Sequence, residues 1–516
     1  MIIKSEIRGG RQRLNIATIT QRVMPMKHKE NIRKSILEKK VSRRDALSTA
    51  AKIGLAAVVA GVVGGIGGYY AGSMTVPERT VTKTVTKTET VTRAVTTPIT
   101  TPTVTTTPTT TPKLTEVTMI IRSGPEADYI KEIAKYYNEN WTPKTGIKLV
   151  LEEYGRHGYF ERVVTTLLSK SPKYDLLWTL NMYTGELAEA GVIEPLDDYF
   201  ADKNCFPYDI ENYLPVSLEG SKYKDKIYAI PLWISTMFLY YRTDLIKDPD
   251  KLKTWDGFLE LAKEFTKQHN PKSPTEFGTC MQAKKGECLP KEFYIYFWSF
   301  GGKFFKDGWV PAFNSPEGVE AAEFKVNLLR KWGVVPPDVD TYEYPEVLTA
   351  LATGKVAFAI QWDAAYYDLK KAWGDKIDII ATPAKKGLDP AAFTHTWCMV
   401  LNSASKRKKE AFKLAAQLTC DPELSVRLGM SGLPIPTKTV LLNTELLEKN
   451  PHWEFMYDFI KNYGHSEIPI PEWPKIHDAV NTYFSLALYG DLTPKRAMDL
   501  LNEEVYGTLK AAGYYG

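Results

Sequence analysis

Hydrophobic positions along this chain fall into three regimes. Through residues 1–52 they are scattered among basic side chains, and residues 53–71 then run for 19 positions without a charge. From residue 114 onward, short apolar runs alternate with stretches whose apolar residues recur three and four apart. The short runs predict strands at residues 117–122, 147–152 and 174–179. The intervening periodic segments predict helices at 127–137, 159–168 and 184–190. The same rhythm continues through 254–266, 316–332 and 355–360, and the residues after Pro474 read as helices. Strands alternating with helices of this length imply an α/β fold of parallel strands joined by crossover helices, with ligand sites in the loops after the strands. No internal repeat interrupts the pattern.

The uncharged run is long enough, as a helix rising about 1.5 Å per residue, to span roughly 28 Å, close to the hydrocarbon thickness of a bilayer. Residues 1–52 hold 14 Lys and Arg against 4 Asp and Glu. That bias places them in the cytoplasm and everything after residue 72 outside. Ser42-Arg43-Arg44-Asp45-Ala46-Leu47 resembles a twin-arginine export signal, and general secretion is the alternative route; both lead outside. No Cys precedes Cys205 and Ala71-Gly72-Ser73 is a poor cleavage site, so residues 53–72 are expected to stay as a transmembrane anchor. In residues 75–112 half of the positions are Thr, joined by Pro98, Pro102, Pro108 and Pro112. Residues 73–113 therefore read as a disordered, Thr-rich linker with little to bury.

Composition changes one part of this picture. The 516 residues, 44% apolar and 25% charged, suffice for more than one domain, and the overall charge of +5 invites a nucleic-acid partner. Residues 114–516, however, carry 47 Lys and Arg against 55 Asp and Glu, a net charge of −8 that repels polyanions. The folded part is acidic, and no nucleic acid is expected. The five Cys are an odd number for an oxidising compartment, and Cys280 and Cys288, flanking a Lys285-Gly286 turn, are the candidate loop staple.

Common catalytic patterns are absent. There is no paired-His zinc motif, Gly-x-Ser-x-Gly elbow, phosphate loop or dinucleotide-binding glycine run, and no spacing suggests a metal or another cofactor. Acidic pairs such as Glu152-Glu153 and Asp197-Asp198 could serve glycoside hydrolysis, though adjacent acids are more often solvated surface. Aromatics are abundant instead: all 12 Trp and 27 of the 29 Tyr follow residue 113. Several stand where a strand ends, among them Trp178, Asn181 and Tyr183, Trp233, Trp362 with Asp363, and Trp397. Sugar rings present apolar C–H faces and hydroxyl rims, so flat rings beside carboxylate or amide acceptors suit them. Core packing is the competing role for each ring.

The segments Asp175 to Asp198, Asp225 to Leu245, Thr254-Trp255 with Phe258-Leu259, Leu348 to Trp362 and Asn402 to Pro436 resemble, in order and spacing, the type 1 extracellular solute-binding proteins, the maltose-binding-like receptors of ABC importers. The resemblance implies a two-lobed periplasmic-binding-protein type II fold with a hinge, here preceded by the transmembrane helix and the linker. One lobe would comprise about 114–232 and 392–422, the other about 236–382 and 425–516. Pro231 to Thr236 would be the first crossing and Pro383 to Phe393 the return. The resemblance also implies ligand contacts at Asn181, Tyr183, Trp233, Ser235, Trp362, Asp363 and Trp473, with Glu126, Arg156 and His157 at the rim. Met182-Tyr183 replaces the charged pair of maltodextrin binders, so maltose itself does not follow. The long anchor and Thr stalk resemble archaeal, membrane-tethered versions. The implied function is capture of a sugar or oligosaccharide for an ABC permease, without catalysis. The alternatives are a surface-anchored carbohydrate-active enzyme, or a receptor for a non-sugar solute such as a peptide or polyamine.

Overall fold

The computed structural model describes residues 113–156 and 158–515. The basic segment, the twin-arginine-like motif, the anchor, nearly all of the Thr-rich linker and His157 lie outside the described residues. Among the described residues no helix is long and apolar enough to cross a membrane.

Among the described residues twelve strands form. The principal sheet holds eight of them: β1 (Thr115–Arg122), β2 (Ile147–Tyr154), β3 (Leu176–Leu180), β6 (Ala229–Arg242), β9 (Phe358–Trp362), β10 (Ile377–Ile380), β11 (Ala392–Leu401) and β12 (Gly464–Ser466). Two short hairpins complete the set, β4 (Lys222–Tyr223) with β5 (Lys226–Ile227) and β7 (Phe305–Lys306) with β8 (Val310–Pro311). β1 runs parallel to β2 and β3, as the alternating pattern predicts. The rest of the sheet departs from that prediction. β11 is antiparallel to both β3 and β6, and β6 is antiparallel to β9 and β10. The reason lies in β6, which is 14 residues long and belongs to two sets of partners. Residues from Ala229 to Thr236 pair with β11, and those from Met237 onward pair with β9 and β10.

Helices pack on this sheet: α1 (Pro125–Asn140), α2 (Tyr159–Leu168), α3 (Trp255–Glu264), α4 (Cys288–Ser299), α5 (Pro316–Arg330), α6 (Tyr344–Ala352), α7 (Lys408–Cys420), α8 (Pro422–Met430), α9 (His452–Tyr463), α10 (Trp473–Tyr489) and α11 (Pro494–Ala511). Local chemistry starts several of them. Thr254 and Ser315 accept from the backbone of Gly257 and Gly318 to cap α3 and α5, and Asp421 and Thr493 do the same for α8 and α11. Pro at the first turn of α5, α8 and α11 adds a fixed φ where no N–H is needed. The strand in the stretch 355–360 starts only at Phe358, because residues up to Val356 are held by the turn that closes α6.

Burial is heaviest where the strands are covered on both faces. All of β3 and β11 is buried, and in β6 only Ser235 is not. Asp175 anchors this region. Its fully buried carboxylate accepts from the Thr118 backbone at 2.8 Å and from Ser405 Oγ at 2.6 Å, and pairs with Arg407 at 3.0 Å. It thereby ties β1 and the approach to β3 to the turn after β11.

The five cysteines are free thiols, so the staple expected between Cys280 and Cys288 is not formed. The Lys285-Gly286 turn is held by α10 instead: Tyr489 accepts from Lys285 N at 3.2 Å and Asn481 from Gly286 N at 3.1 Å. Burial pushes the Cys288 thiol up to about 12.

Replacing Asp175 by Ala leaves the partly exposed Arg407 guanidinium and two donors, Thr118 N and Ser405 Oγ, without their acceptor. We expect denaturant unfolding to report a loss of about 3 kcal/mol. A change below about 0.5 kcal/mol would mean that the network contributes nothing.

Candidate functional site

The site is built where β6, β11 and β12 run side by side. On β11, alternation puts Phe393, His395 and Trp397 on one face. Across the ladder from them stand Ser235, opposite His395, and Trp233, opposite Trp397. The two indoles stack with centroids 4.9 Å apart and planes inclined by 11°. Trp178 meets Trp233 edge-on at 5.0 Å, Phe160 of α2 stacks on Trp397 at 5.7 Å, and Tyr183 lies 5.5 Å from Phe160. The Arg122 guanidinium, at the end of β1, sits 4.3 Å over the Trp397 ring. Trp397 is thus gripped from three sides.

Trp362 approaches from the end of β9. Its ring lies 5.8 Å from His395 and 5.9 Å from Phe393, and its Nε1 donates to Gln282 at 3.3 Å. Gln282 is itself fixed, because its backbone N–H donates at 2.7 Å to Glu292, which pairs with buried Lys325 at 2.8 Å. Trp233 and Trp397 are each 5% exposed, His395 6% and Trp362 8%, so the cluster is packed shut upon itself.

The polar members come from helices and from β12. His395 Nε2 lies 3.9 Å from Glu287, which also accepts from Lys291 of α4. Burial, reinforced by the Lys291 charge, holds the His395 imidazole down to about 3. At neutral pH it is an uncharged donor and acceptor, and its contact with Glu287 is not ionic. Glu467, which follows β12, lies 3.1 Å from His477 of α10. Burial pushes this carboxyl up, but the hydrogen bond from His477 and the charge of Lys291 outweigh it, and Glu467 is held below its ordinary value. His395 Nδ1 and Glu467 Oε2 are buried without a protein partner. Each is a buried polar atom with a hydrogen bond still to be made.

The residues singled out in the sequence divide accordingly. Trp233, Trp397, Trp362, Tyr183 and Ser235 come together. Trp178 supports them from below and is 1% exposed. Asp363 is buried against β6: its carboxylate accepts from Thr236 N at 3.0 Å, at the point where β6 changes partners, and from the Ser235 side chain. Asn181 is fully buried and donates to Ser466 at 2.7 Å, which ties it to β12 and not to the rings. Trp473 is fully buried against Phe304 and Tyr294, with ring centroids 5.1 and 6.2 Å away, so it is a core residue. Glu126, in the first turn of α1, and Arg156, in the loop after β2, pair at 3.7 Å. The sequence reading missed Arg122, Phe160, Glu287, Lys291, His395, Glu467 and His477. Only His395 carried a signal, as the polar member of an aromatic alternation.

The longest strand of the sheet serves two sets of partners, and a cluster of aromatic rings lies beside the change. Residues 132–454 match the family of bacterial extracellular solute-binding proteins, and the chain belongs to that family. A mannitol-binding protein of Pseudomonas aeruginosa is 24% identical over 410 residues, 75% of this chain and 91% of its own. Among solved structures, maltose-bound MalE3 of T. maritima is 23% identical with a TM-score of 0.64, over 76% of this chain and 99% of that one. A D-mannitol-bound solute-binding protein of Agrobacterium vitis S4 is 23% identical with a TM-score of 0.61, over 78% and 100%. The described residues therefore have the two-lobed α/β fold of these proteins.

Burial pushes the Asp363 carboxyl up to about 7, against the donors at Thr236, at its own and the Ala364 backbone, and at Ser235. An unfolded Asp loses its proton near about 4. The folded state therefore binds more protons between about pH 4 and 7, and this group's contribution to stability is lost as pH rises through that window. His395 and His452, both held down to about 3, act in the opposite sense between about 3 and 6.5. We expect Asp363→Asn, which keeps the acceptor for Thr236, to gain stability relative to the parent at pH 8 but not at pH 4. Equal melting-temperature differences at the two pH values would show that Asp363 does not ionise in this window.

Proposed function

We propose that the chain is an extracytoplasmic receptor that captures a neutral sugar, oligosaccharide or polyol between two lobes and presents it to an ABC permease. The observation that carries this reading is the cluster of Trp233, Trp397 and Trp362 around uncharged His395, with Glu467 as the hydrogen-bond acceptor. Rings offer stacking faces, and polar atoms with unmade hydrogen bonds offer partners for hydroxyls. The relatives named for mannitol and the neighbour holding maltose support the same ligand chemistry. We take the lobes to divide within β6 between Thr236 and Met237, where the strand exchanges partners, in agreement with segments near 114–232 with 392–422 and 236–382 with 425–516. Asp363 fixes that point through the Thr236 backbone.

The mechanism is a population shift. A ligand touching both lobes binds the closed arrangement better, and closure is what the permease reads. No bond in the ligand is made or broken. The 19 uncharged residues after the basic segment support a tether that keeps the receptor beside the permease, and the Thr-rich linker gives it reach.

Purified full chain, heated with mannitol, maltose and maltotriose in turn, should show a saturable rise in melting temperature, about 2.7 kcal/mol of stabilisation at a hundredfold excess over Kd. The sugars should be recovered unchanged by chromatography. Cleaved sugar would replace the receptor with an enzyme, and stabilisation by peptides or polyamines alone would move the ligand class. His395→Phe keeps a ring of similar size but no polar atom, and should weaken the stabilising sugar by about 1 kcal/mol. Undiminished affinity would remove His395 from the site.

A further inference from the structure

An imidazole enclosed by side chains from several strands and helices is a proton-binding group whose hydration depends on how those elements are arranged. His395 is 6% exposed, with Trp362 at 5.8 Å, Trp397 at 6.3 Å and Phe393 at 6.4 Å around its ring. Its Nδ1 is buried without a protein partner. Its Nε2 faces Glu287 across 3.9 Å, longer than a hydrogen bond. A protonated imidazole carries two N–H donors, and the packed cluster offers them poor acceptors.

Charged groups face this ring from several elements. Lys291 reaches it from α4 and Glu287 from the residue before that helix, while Glu467 follows β12 and Arg122 ends β1. Ser235, opposite His395 on β6, is engaged with the Asp363 carboxylate. Both facing carboxylates are already committed: Glu287 accepts from Lys291, and Glu467 lies 3.1 Å from His477. A proton added to His395 here would make a buried cation beside Lys291 and Arg122. Burial first, and then Lys291, hold the imidazole down to about 3 against the pull of the two carboxylates. The same ring in water binds a proton near about 6.5.

We infer that ligand capture by this receptor is coupled to loss of a proton from His395, so that an acid medium favours the open lobes and frees the sugar. The inference rests on the receptor reading and adds a means of regulation to the same site. Its sign follows from the two environments. With the lobes apart the ring meets solvent and is protonated below about pH 6.5; closure returns it to the packed cluster, and the proton passes to the buffer. Affinity then falls about tenfold per pH unit below that value, which is about thirtyfold between pH 8 and pH 5. Glu467, held below its ordinary value of 4.5 when packed, acts in the same sense only at lower pH. The interval from pH 5 to 8 therefore isolates the imidazole.

The test is calorimetric titration of the full chain with mannitol, maltose and maltotriose in turn, at pH 5.5 and pH 8, each in two buffers of different ionisation enthalpy. For the sugar that binds, the difference in heat between buffers should count about 0.9 proton released per ligand at pH 5.5 and almost none at pH 8. Kd should follow the thirtyfold change. His395→Gln keeps a polar side chain that cannot take up a proton; it should bind the same sugar with a Kd that varies less than threefold over the interval and with no buffer dependence. Equal heats in the two buffers at pH 5.5 would overturn the coupling while leaving the receptor reading intact, and this result is available from the parent chain even if the variant does not fold. A proton count that survives in His395→Gln would assign the coupling to another group, Asp363 foremost, and overturn the role of His395. Absence of binding by all three sugars at both pH values would overturn the receptor reading and the coupling together.

Discussion

One strand that must satisfy two sets of neighbours constrains everything else in this molecule. β6 gives its first eight residues to β11 and its remainder to β9 and β10. Its register shift against β11 lies at residues 231–233, so from Trp233 onward the side chains it presents to one half are phased with those it presents to the other. Ser235 and Trp233 are therefore aimed at the same region that receives Trp362 from β9. The Asp363 carboxylate on Thr236 N holds the strand at the residue where partners change, and it does so from the β9 side. β11 and β12 reinforce the crossing through their own parallel pairing, Phe393 opposite His465 and Thr394 opposite Ser466.

The electrostatics of the crossing follow from burial. A charged imidazole at His395 would sit beside Lys291 in a poorly solvated setting, and the structure resolves this by keeping the ring neutral. Glu467 stays ionised only because His477 and Lys291 face it. The buried pair of Glu292 and Lys325 has no room for solvent, yet it fixes Gln282, and through it the Trp362 indole. The ring cluster thus holds a neutral imidazole at His395 beside an ionised carboxylate at Glu467. That division suits the reversible holding expected of an extracellular solute-binding family member.

Legibility in the sequence followed physical range. The helices at 159–168 and 316–332 were readable because their apolar spacing and, for the second, a Ser-Pro start act within a few residues. β1, β2 and β3 were readable for the same reason. The antiparallel partners of β6 were not, since direction depends on which end of a distant strand arrives first. Site residues divide similarly. Trp233, Trp362 and Trp397 stood out as rings at strand ends, but Trp473, which only the family resemblance suggested and which opens α10, is packed wholly inside against Phe304. Glu467 and His477 carried no local mark, because their role arises from a meeting of β12 with α10. The Cys280 and Cys288 spacing suggested a staple, and hydrogen bonds from the turn to Asn481 and Tyr489 occupy that role instead.

What the sequence by itself determined is the set of local elements, the acidic surface of the folded part, the aromatic-rich chemistry available to a site and the order of segments shared with a known family. These depend on spacing and composition, which are properties of neighbours along the chain. Tertiary structure alone decided which rings meet and which carboxylate stays charged. Those outcomes depend on burial, and burial is set by residues far apart in sequence that the crossing strands bring within a few ångströms of each other.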